Sequence, residues 1–229
     1  MEENNNRKIL EELLPFWGKI SESSREYLAE KSRPVRYHRG DVIQSSKEQC
    51  TGVLLIKKGR LRAYIVDSEG KEITLFRLLD YDICIFSASC IMNDIDFDVY
   101  IAAETDMEGL LIRSRAYQKV TREEIAAANY MNDLVISRMS DVMWVLEQIV
   151  FKSFDRRLAA FLLEQTALED ADKIAITHEE IANHLGSARE VVSRMLKYFE
   201  REGMVRLSRG AVELTDREAL AKRAGERNA

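Results

Sequence analysis

The sequence predicts an α+β protein in which a strand-rich segment lies between helical segments. Residues 34–114 form short runs in which apolar and polar residues alternate, with turn residues between the runs. That pattern is typical of half-buried antiparallel strands. Residues 8–31, and most of the chain after Thr121, carry apolar residues at helical spacing instead. We therefore expect three parts: an N-terminal helix with a β domain over residues 1–120, a long helix with a hinge over 121–152, and a helical domain with a short hairpin over 153–229.

The composition is that of an ordinary globular chain. Its 229 residues are 46% hydrophobic and carry a net charge of −5, which suits one large or two small domains. The polar start MEENNNRK and the lack of a long uncharged apolar run predict neither a signal peptide nor a membrane span. Cys50, Cys84 and Cys90 form no C-x-x-C pair, so we expect reduced thiols in a cytoplasmic protein.

The sequence also argues against an enzyme and against a metal site. It contains no P-loop, dinucleotide fingerprint or Ser/His/Asp set. Its three histidines are scattered, and no zinc or iron–sulfur ligand spacing is present. His178 and His184 flank one short helix, where we expect them to cap or pack rather than to catalyse.

The N-terminal part predicts helices followed by antiparallel strands. The helical pattern of residues 8–31 is interrupted near Pro15–Gly18. In the strand segment, Gly40 and Gly59 lie at turns, and Asp67–Gly70 has the composition of a hairpin loop. Several short strands at this spacing favour an antiparallel sandwich or barrel.

Residues from Thr121 to about Val150 predict one long helix, with Thr121 and Glu124 as a capping box at its start. Residues 151–155 then predict a hinge that leads into a further amphipathic helix. Two neighbouring apolar stripes run along the long helix. One stripe would cover a single surface, so two stripes predict burial against the chain's own β domain and against a second copy of the helix. A plain core helix is the alternative.

The first stripe also contains Arg138 and supplies the predicted dimer interface: Met131, Val135, Val142, Val145 and Ile149. The second stripe comprises Ile136, Met139, Met143, Leu146 and Val150.

The segment from Thr177 to Val205 predicts two short helices joined by a tight turn at Gly186. Thr177 and Glu180 form a capping box for the first helix, and Ser187 suits the N-cap of the second. One face of the second helix is apolar and comprises Val192, Met195, Leu196 and Phe199. The opposite face comprises Arg189, Glu190, Ser193, Arg194 and Lys197. This is the pattern of a helix-turn-helix whose second helix enters the DNA major groove.

The polar face of that second helix has the chemistry of base recognition. Arginine can bond guanine O6 and N7 together, and glutamate can accept from cytosine N4. The alternative is that Glu190 completes a second capping box with Ser187 and that the arginines form a solvated face. The capped helix pair favours DNA recognition over this alternative.

A short hairpin over residues 205–214, with its turn at Ser208–Gly210, predicts a wing beside the helices. Between Ser187 and Arg209 the chain carries six positive and three negative side chains, a local charge of +3 against −5 for the whole chain. Such a local excess is expected of a DNA-binding module, because neutralising phosphates supplies much of the affinity. The predicted phosphate contacts are Thr177, Ser187, Lys197, Arg206 and Arg209.

The order of these elements resembles the Crp/Fnr family of bacterial transcription regulators. Residues 185–194, LGSAREVVSR, are similar to the family's recognition-helix signature G-x-x-R-E-x-x-x-R, and residues 155–161, DRRLAAF, resemble the first helix of its DNA-binding domain. The resemblance implies a sensor β-roll of the jelly-roll type, a dimer helix and a winged helix-turn-helix. It also implies a homodimer on an inverted-repeat operator, and contact with RNA polymerase if the protein is an activator. The implied base contacts are Arg189, Glu190, Ser193 and Arg194.

The sensor region departs from the family pattern. Cyclic-AMP-responsive members bind the ribose with a Gly-Glu pair and the phosphate with an Arg-Ser or Arg-Thr pair. The alignment places Ile85-Phe86 and Phe97-Asp98 at those positions, with Asp94 and Asp96 close by in sequence. Burying a phosphodiester without a charged partner is costly, so we expect an effector other than cAMP. The oxygen-sensing branch holds an iron–sulfur cluster with N-terminal cysteines, and residues 1–49 contain none.

The effector therefore stays unidentified. The residues expected around it are Cys84, Phe86, Ser87, Ser89, Cys90, Phe97 and Arg138. An apolar pocket for a small organic or haem-like ligand is one interpretation. A thiol switch at Cys84 and Cys90 is a second, and a pair of inert buried cysteines is a third. An effector-binding protein without a DNA role is the broader alternative.

Overall fold

The computed structural model describes residues 2–44, 52–85 and 98–225. They divide into two compact units. The first comprises the described residues up to Ile65 together with Leu75–Val142. The second comprises Val66–Thr74 together with the described residues from Met143 onward. Among the described helices, none is long and apolar enough to cross a membrane.

The chain begins with two helices, α1 (Glu2–Leu13) and α2 (Glu22–Glu30), separated by a 3₁₀ turn at Trp17–Lys19. The predicted break near Pro15 is confirmed. Ser21 caps α2 by accepting a hydrogen bond from the Ser24 backbone amide at 3.3 Å. The apolar side chains of both helices are buried in the core of the first unit.

Two four-stranded sheets make up the β domain, in the orders β1-β8-β3-β6 and β2-β7-β4-β5. The strands are β1 (Ser32–Tyr37), β2 (Val42–Gln44), β3 (Val53–Lys58), β4 (Leu61–Val66), β5 (Glu72–Leu78), β6 (Ile83–Cys84), β7 (Tyr100–Ala103) and β8 (Met107–Ile112). The pairings of β8 with β1 and β3, and of β4 with β7, are antiparallel. A buried core joins side chains of both sheets, among them Leu54, Ile56, Leu61 and Ile101. The predicted antiparallel sandwich is confirmed.

The predicted turns are also confirmed, and Gly59 shows why one of them requires glycine. Its φ is +116°, and an added Cβ would lie 2.6 Å from the Asp106 carbonyl oxygen. In the β4–β5 hairpin, the Asp67 carboxylate accepts from the backbone amides of Glu69 at 2.8 Å and Lys71 at 2.9 Å. Gly70 completes that loop with φ +82°. The hairpin is therefore closed by its own side chains as well as by its strands.

The predicted capping box at Thr121 and Glu124 is wrong. Helix α3 (Ser114–Glu123) runs through Thr121, whose hydroxyl donates to the Gln118 carbonyl at 3.0 Å. Glu124 is extended, and its carboxylate accepts from the Ser24 hydroxyl at 2.7 Å and from the Ser21 backbone amide at 3.0 Å. The long helix α4 (Ile125–Phe151) therefore begins at Ile125, because distant serines at the start of α2 bind the carboxylate that the box would need.

Apart from Val66–Thr74, the second unit begins within α4 and continues through the predicted hinge. α4 ends at Phe151, Ser153 is extended with ψ 155°, and α5 (Phe154–Glu169) follows. The remaining elements are β9 (Lys173–Ile174), α6 (His178–Leu185), α7 (Arg189–Arg201), β10 (Val205–Ser208), β11 (Ala211–Leu214) and α8 (Arg217–Ala224). Strands β10 and β11 form the predicted hairpin, and β9 pairs with β11.

Candidate nucleic-acid interface

Helix α6, the turn at Gly186 and helix α7 form the predicted helix-turn-helix. The capping box at its start is confirmed. The Glu180 amide donates to the Thr177 hydroxyl at 3.1 Å, and the Thr177 amide donates to the Glu180 carboxylate at 2.7 Å. Gly186 ends α6 with φ +60°, in the left-handed region that glycine adopts without strain. Thr177 and Gly186 thus fix both ends of α6.

The prediction that Ser187 is the N-cap of α7 is wrong. The N-cap is Ala188, with φ −82° and ψ 141°, and it makes no side-chain capping bond. Glu190 is consequently the second residue of α7 rather than the third, so it cannot complete a capping box with Ser187. An N-cap without an oxygen leaves the first amides of α7 to other acceptors, and a helix N-terminus favours anions such as phosphate.

Helix α7 separates its apolar and charged faces as predicted. Val192, Leu196 and Phe199 are fully buried in the core of the second unit. Arg189, Glu190, Arg194 and Lys197 are exposed, and Ser193 is half-buried. The buried face fixes the helix on the domain, while the charged face is open to a partner.

The two arginines of the wing have different surroundings. Arg206 lies opposite Glu213 across the β10–β11 pair, and their side chains form an ion pair of 3.1 Å. Arg209 is exposed at the turn of the hairpin. Of the other predicted phosphate contacts, Thr177 is exposed and Ser187 is half-buried.

His178, the first residue of α6, lies close to two cations of α7. Burial lowers the pKa of His178 below its usual value, and the charges of Arg189 and Lys197 lower that pKa further. Two cations of α7 thus lie close enough to His178 to disfavour its charged form.

Arg157 of α5 contacts the turn that joins α6 and α7, a role that the sequence patterns did not predict. Its guanidinium donates to the Leu185 carbonyl at 2.9 Å, at the end of α6. Burial lowers the pKa of this guanidinium. A carbonyl at a helix C-terminus has no partner within the helix, and a cation there is favourable. The only sequence signal was an arginine within the DRRLAAF segment.

Helix α8 (Arg217–Ala224) is a further element that the sequence patterns did not predict. Asp216 caps it by accepting from the Ala219 amide at 2.9 Å. Arg223 in its last turn pairs with Asp155 of α5 at 3.2 Å and donates to the Tyr198 hydroxyl of α7 at 2.9 Å. The helix therefore links α5 with α7. An N-cap aspartate before an alanine-rich run was the signal that could have found it.

The two stripes of α4 differ in exposure. In the second stripe, Ile136, Met139, Met143, Leu146 and Val150 are each between 50% and 66% exposed. In the predicted interface, Val135 and Ile149 are 40% exposed and Val145 is half-buried. Met131 and Val142 pack against cores of the β domain. The second stripe is therefore the more open of the two.

Only two residues of the predicted effector region lie within the described chain. Cys84 is buried in the core between the sheets. The Arg138 guanidinium is close to Asp141 at 3.0 Å and Asp82 at 3.4 Å, and lies 5.1 Å from the centre of the Phe76 ring. Two carboxylates thus offset its charge. The remaining members, Phe86, Ser87, Ser89, Cys90 and Phe97, lie outside the described residues.

Comparison with known proteins gives matches over most of the chain. Residues 34–124 match the cyclic nucleotide-binding domain family, and residues 156–223 match the Crp-like helix-turn-helix domain family. The chain is 25% identical over 186 residues to the cyclic AMP receptor protein of Thermus thermophilus, covering 81% of this chain and 82% of that protein. It is 26% identical over 200 residues to the transcriptional regulatory protein btr of Bordetella pertussis, covering 84% and 81% respectively.

A solved structure from Eubacterium rectale, described as a transcriptional regulator of the Crp/Fnr family, has 44% sequence identity and a TM-score of 0.92. The match covers 93% of this chain and 99% of that one. The likeness therefore extends well beyond the helix-turn-helix.

Proposed function

The chain belongs to the Crp/Fnr family of transcription regulators, with a DNA-binding helix-turn-helix, and from this premise we propose how it acts. It binds a palindromic operator as a homodimer, under the control of an effector other than cAMP. The observation that carries this proposal is the pair of open surfaces: the charged face of α7 and the apolar stripe of α4.

The charged face of α7 supplies the base contacts. Arg189, Glu190, Ser193 and Arg194 lie in its first two turns, which reach base edges in this motif. The phosphates of the DNA backbone are bound by five further residues: Thr177, Ser187, Lys197, Arg206 and Arg209. Arg206 must break its ion pair with Glu213 before it can bind a phosphate. Lys197 and Arg209 therefore contribute more to the affinity for DNA.

The open stripe of α4 supplies the dimer contact. From Ile136 to Val150 it extends over about 21 Å of helix, at a rise of about 1.5 Å per residue. Apolar side chains in contact with water raise the free energy, and a second helix with the same 3-4 spacing would remove them from it. Val135 and Ile149 border this stripe and join the interface. Met131 and Val142 contribute mainly to the fold of the β domain.

A dimer of this kind predicts the shape of the operator. Two copies of α7 related by a two-fold axis read two half-sites in opposite orientation, with centres about 34 Å apart. An activator of this family would also contact RNA polymerase from that position.

Several observations argue against cAMP as the effector. Arg138 is the cation that could have replaced the missing phosphate ligand, but Asp82 and Asp141 already offset its charge. A buried phosphodiester would meet those carboxylates as well as the guanidinium. The burial of Cys84 gives no support to a thiol switch at that position.

The test of the DNA proposal is selection of duplexes from a random library by the purified protein, followed by titration at several salt concentrations. We expect an inverted repeat with the spacing given above and an affinity that falls steeply with salt. Enrichment of no duplex would refute the proposal. Calorimetry with cAMP at millimolar concentration tests the effector separately. A saturable isotherm that disappears in Arg138→Ala would refute the exclusion of cAMP.

A further inference from the structure

Helix α8 contacts both α5 and α7 through one side chain, that of Arg223. One terminal nitrogen of its guanidinium donates to the Asp155 carboxylate, in the first turn of α5, at 3.2 Å. The other terminal nitrogen donates to the Tyr198 hydroxyl of α7 at 2.9 Å. We call these three side chains the Arg223 bridge. A single planar group therefore joins the start of the DNA-binding domain to its second recognition element.

The fold holds the Arg223 bridge at its base. Leu220 of α8, three residues before Arg223, is fully buried in the core of the second unit. Burial raises the pKa of Asp155, but hydrogen bonds from the Ser153 side chain and the Arg156 amide, together with the charge of Arg223, lower it more. The Asp155 carboxylate is therefore charged at neutral pH and fixes the guanidinium as an ion pair.

The other end of the Arg223 bridge lies beside the charged face of α7. Tyr198 follows Arg194 by four residues, which places the two side chains about 40° apart around the helix axis. It also follows Lys197 directly. Tyr198 is half-buried, whereas Arg194 and Lys197 are exposed. A contact at Tyr198 therefore acts at the edge of the surface that would contact DNA.

The contact at Tyr198 differs in kind from the packing of α7. Val192, Leu196 and Phe199 hold the helix on the domain by apolar contact, which is non-directional. A hydrogen bond from a rigid guanidinium has a preferred direction, and it restricts rotation of α7 about its own axis. Base recognition needs side chains held to within roughly 10–20° of their productive orientation. Because Asp155 already offsets the charge of Arg223, this arginine suits a support for α7 better than a phosphate contact.

We propose that Arg223 is a positioning residue for DNA recognition, which fixes the rotation of α7 through Tyr198 and so directs Arg194 toward its base. This inference rests on the base contacts proposed above, and it gives a role to α8, which lies outside the helix-turn-helix. In this role Arg223 does not contact DNA. Loss of the Arg223 bridge should therefore lower the preference for the operator, while binding to unrelated duplexes, which depends on charge, should stay the same.

The test is Tyr198→Phe, which removes the hydroxyl but keeps the ring and the net charge. We expect the affinity for the selected operator to fall about fivefold, the effect of one net hydrogen bond. The affinity for an unrelated duplex and the slope of log affinity against log salt should not change, because no phosphate contact is lost. Tyr27→Phe, in α2 of the first unit, is the matched control and should equal the wild type in all three measurements.

A second variant, Arg223→Lys, keeps the positive charge but removes the planar group that contacts two partners at once. It should lower the ratio of operator affinity to unrelated-duplex affinity about as much as Tyr198→Phe does. In the Arg223→Lys background, Tyr198→Phe should have little further effect, because both changes break the same contact. Lys222→Arg, at the exposed neighbour of Arg223 in α8, is the control and should match the wild type.

Unchanged operator affinity in Tyr198→Phe would overturn the inference. An equal loss on both duplexes would overturn it too, because it would show an effect on folding or charge rather than on the orientation of α7. Additive effects in the double variant would mean that Tyr198 and Arg223 act separately, which also contradicts the proposal. Failure of the DNA-binding proposal itself would show in the wild type, which would then prefer no duplex.

Discussion

Helices α4 and α7 both have exposed faces, but these faces differ in chemistry. The open face of α7 is charged, and water solvates it well. The open stripe of α4 is apolar, so exposure to water raises its free energy. The two surfaces therefore suit different partners. The charged face of α7 suits a polyanion, whose counterions are released on binding. The apolar stripe of α4 suits another apolar surface.

The strongest test of this comparison is a charge on the stripe of α4. Met143→Glu should give monomers, because a dimer would bury an unpaired carboxylate. Operator affinity should fall roughly a hundredfold or more, since two half-sites no longer bind as one unit. Sedimentation and DNA titration would measure the two effects.

The matched control is Ser137→Glu, which places a charge on the same helix but on neither stripe. It should stay dimeric. Val142→Glu is a poorer test, because Val142 packs against the core between the sheets and the variant would disturb the fold as well. Dimeric Met143→Glu would place the interface elsewhere.

The next largest effect is expected on the charged face of α7. Arg194→Ala should cost about 1–3 kcal/mol of operator binding and relax the preference at one guanine. Arg201→Ala is the control, since Arg201 is exposed in the last turn of the same helix. Selection of duplexes by both variants would separate the roles, and equal preference in Arg194→Ala and wild type would contradict the assignment of α7.

A smaller effect is expected in the wing. Arg209→Ala should weaken binding to all duplexes by a similar factor and lower the slope of log affinity against log salt by about one, as the loss of a phosphate contact does. Arg206→Ala should change this slope less, because Glu213 already pairs with Arg206. Titration over several salt concentrations would measure both. The reverse order of the two slopes would show that the ion pair opens on DNA.

The two helices also begin differently, and this predicts the smallest effect. α7 follows Ala188, which has no capping oxygen, whereas α4 follows a carboxylate bound by α2. Hydrogen bonds from the Ser21 side chain, the Ser24 side chain and the Ser21 amide lower the pKa of Glu124. A lowered folded-state pKa means that this stabilisation is present above the unfolded pKa and is lost as pH falls through the folded value.

Urea unfolding at pH 6 and at pH 3 would show this effect. Glu124→Gln should lose less stability than the wild type between these values. Glu123→Gln, beside it on the exposed end of α3, is the control and should behave as the wild type does. If the free energy of unfolding depended on pH in the same way in the wild type and in Glu124→Gln, the serine contacts would add no stability.

Sequence predicted best the features that neighbouring residues determine. The capping box of α6, the turn at Gly186 and the wing hairpin each depend on residues that are close in the chain, so their patterns were sufficient. The box at Thr121 failed because Ser21 and Ser24 bind Glu124 from about a hundred positions away. No local pattern reports such a competitor.

The candidate site shows the same limit. The faces of α7 followed from helical spacing, but the more open stripe of α4 depends on which residues the β domain covers, and the spacing of the two stripes was nearly equivalent. The pair of Thr74 and His184 is separated by 110 positions and has no sequence signal of its own. Arg157 likewise gained its role only from the carbonyl that the fold brings to it.

The contact of Ile73 with Gly186 constrains how the sequence can change. A side chain at position 186 would need both a left-handed backbone and the space that Ile73 occupies. We therefore expect the two positions to vary together among relatives, with the larger side chains at position 73 found only where position 186 is glycine. Such co-variation among relatives would show that the β4–β5 hairpin and the turn between the DNA-binding helices constrain each other's sequences.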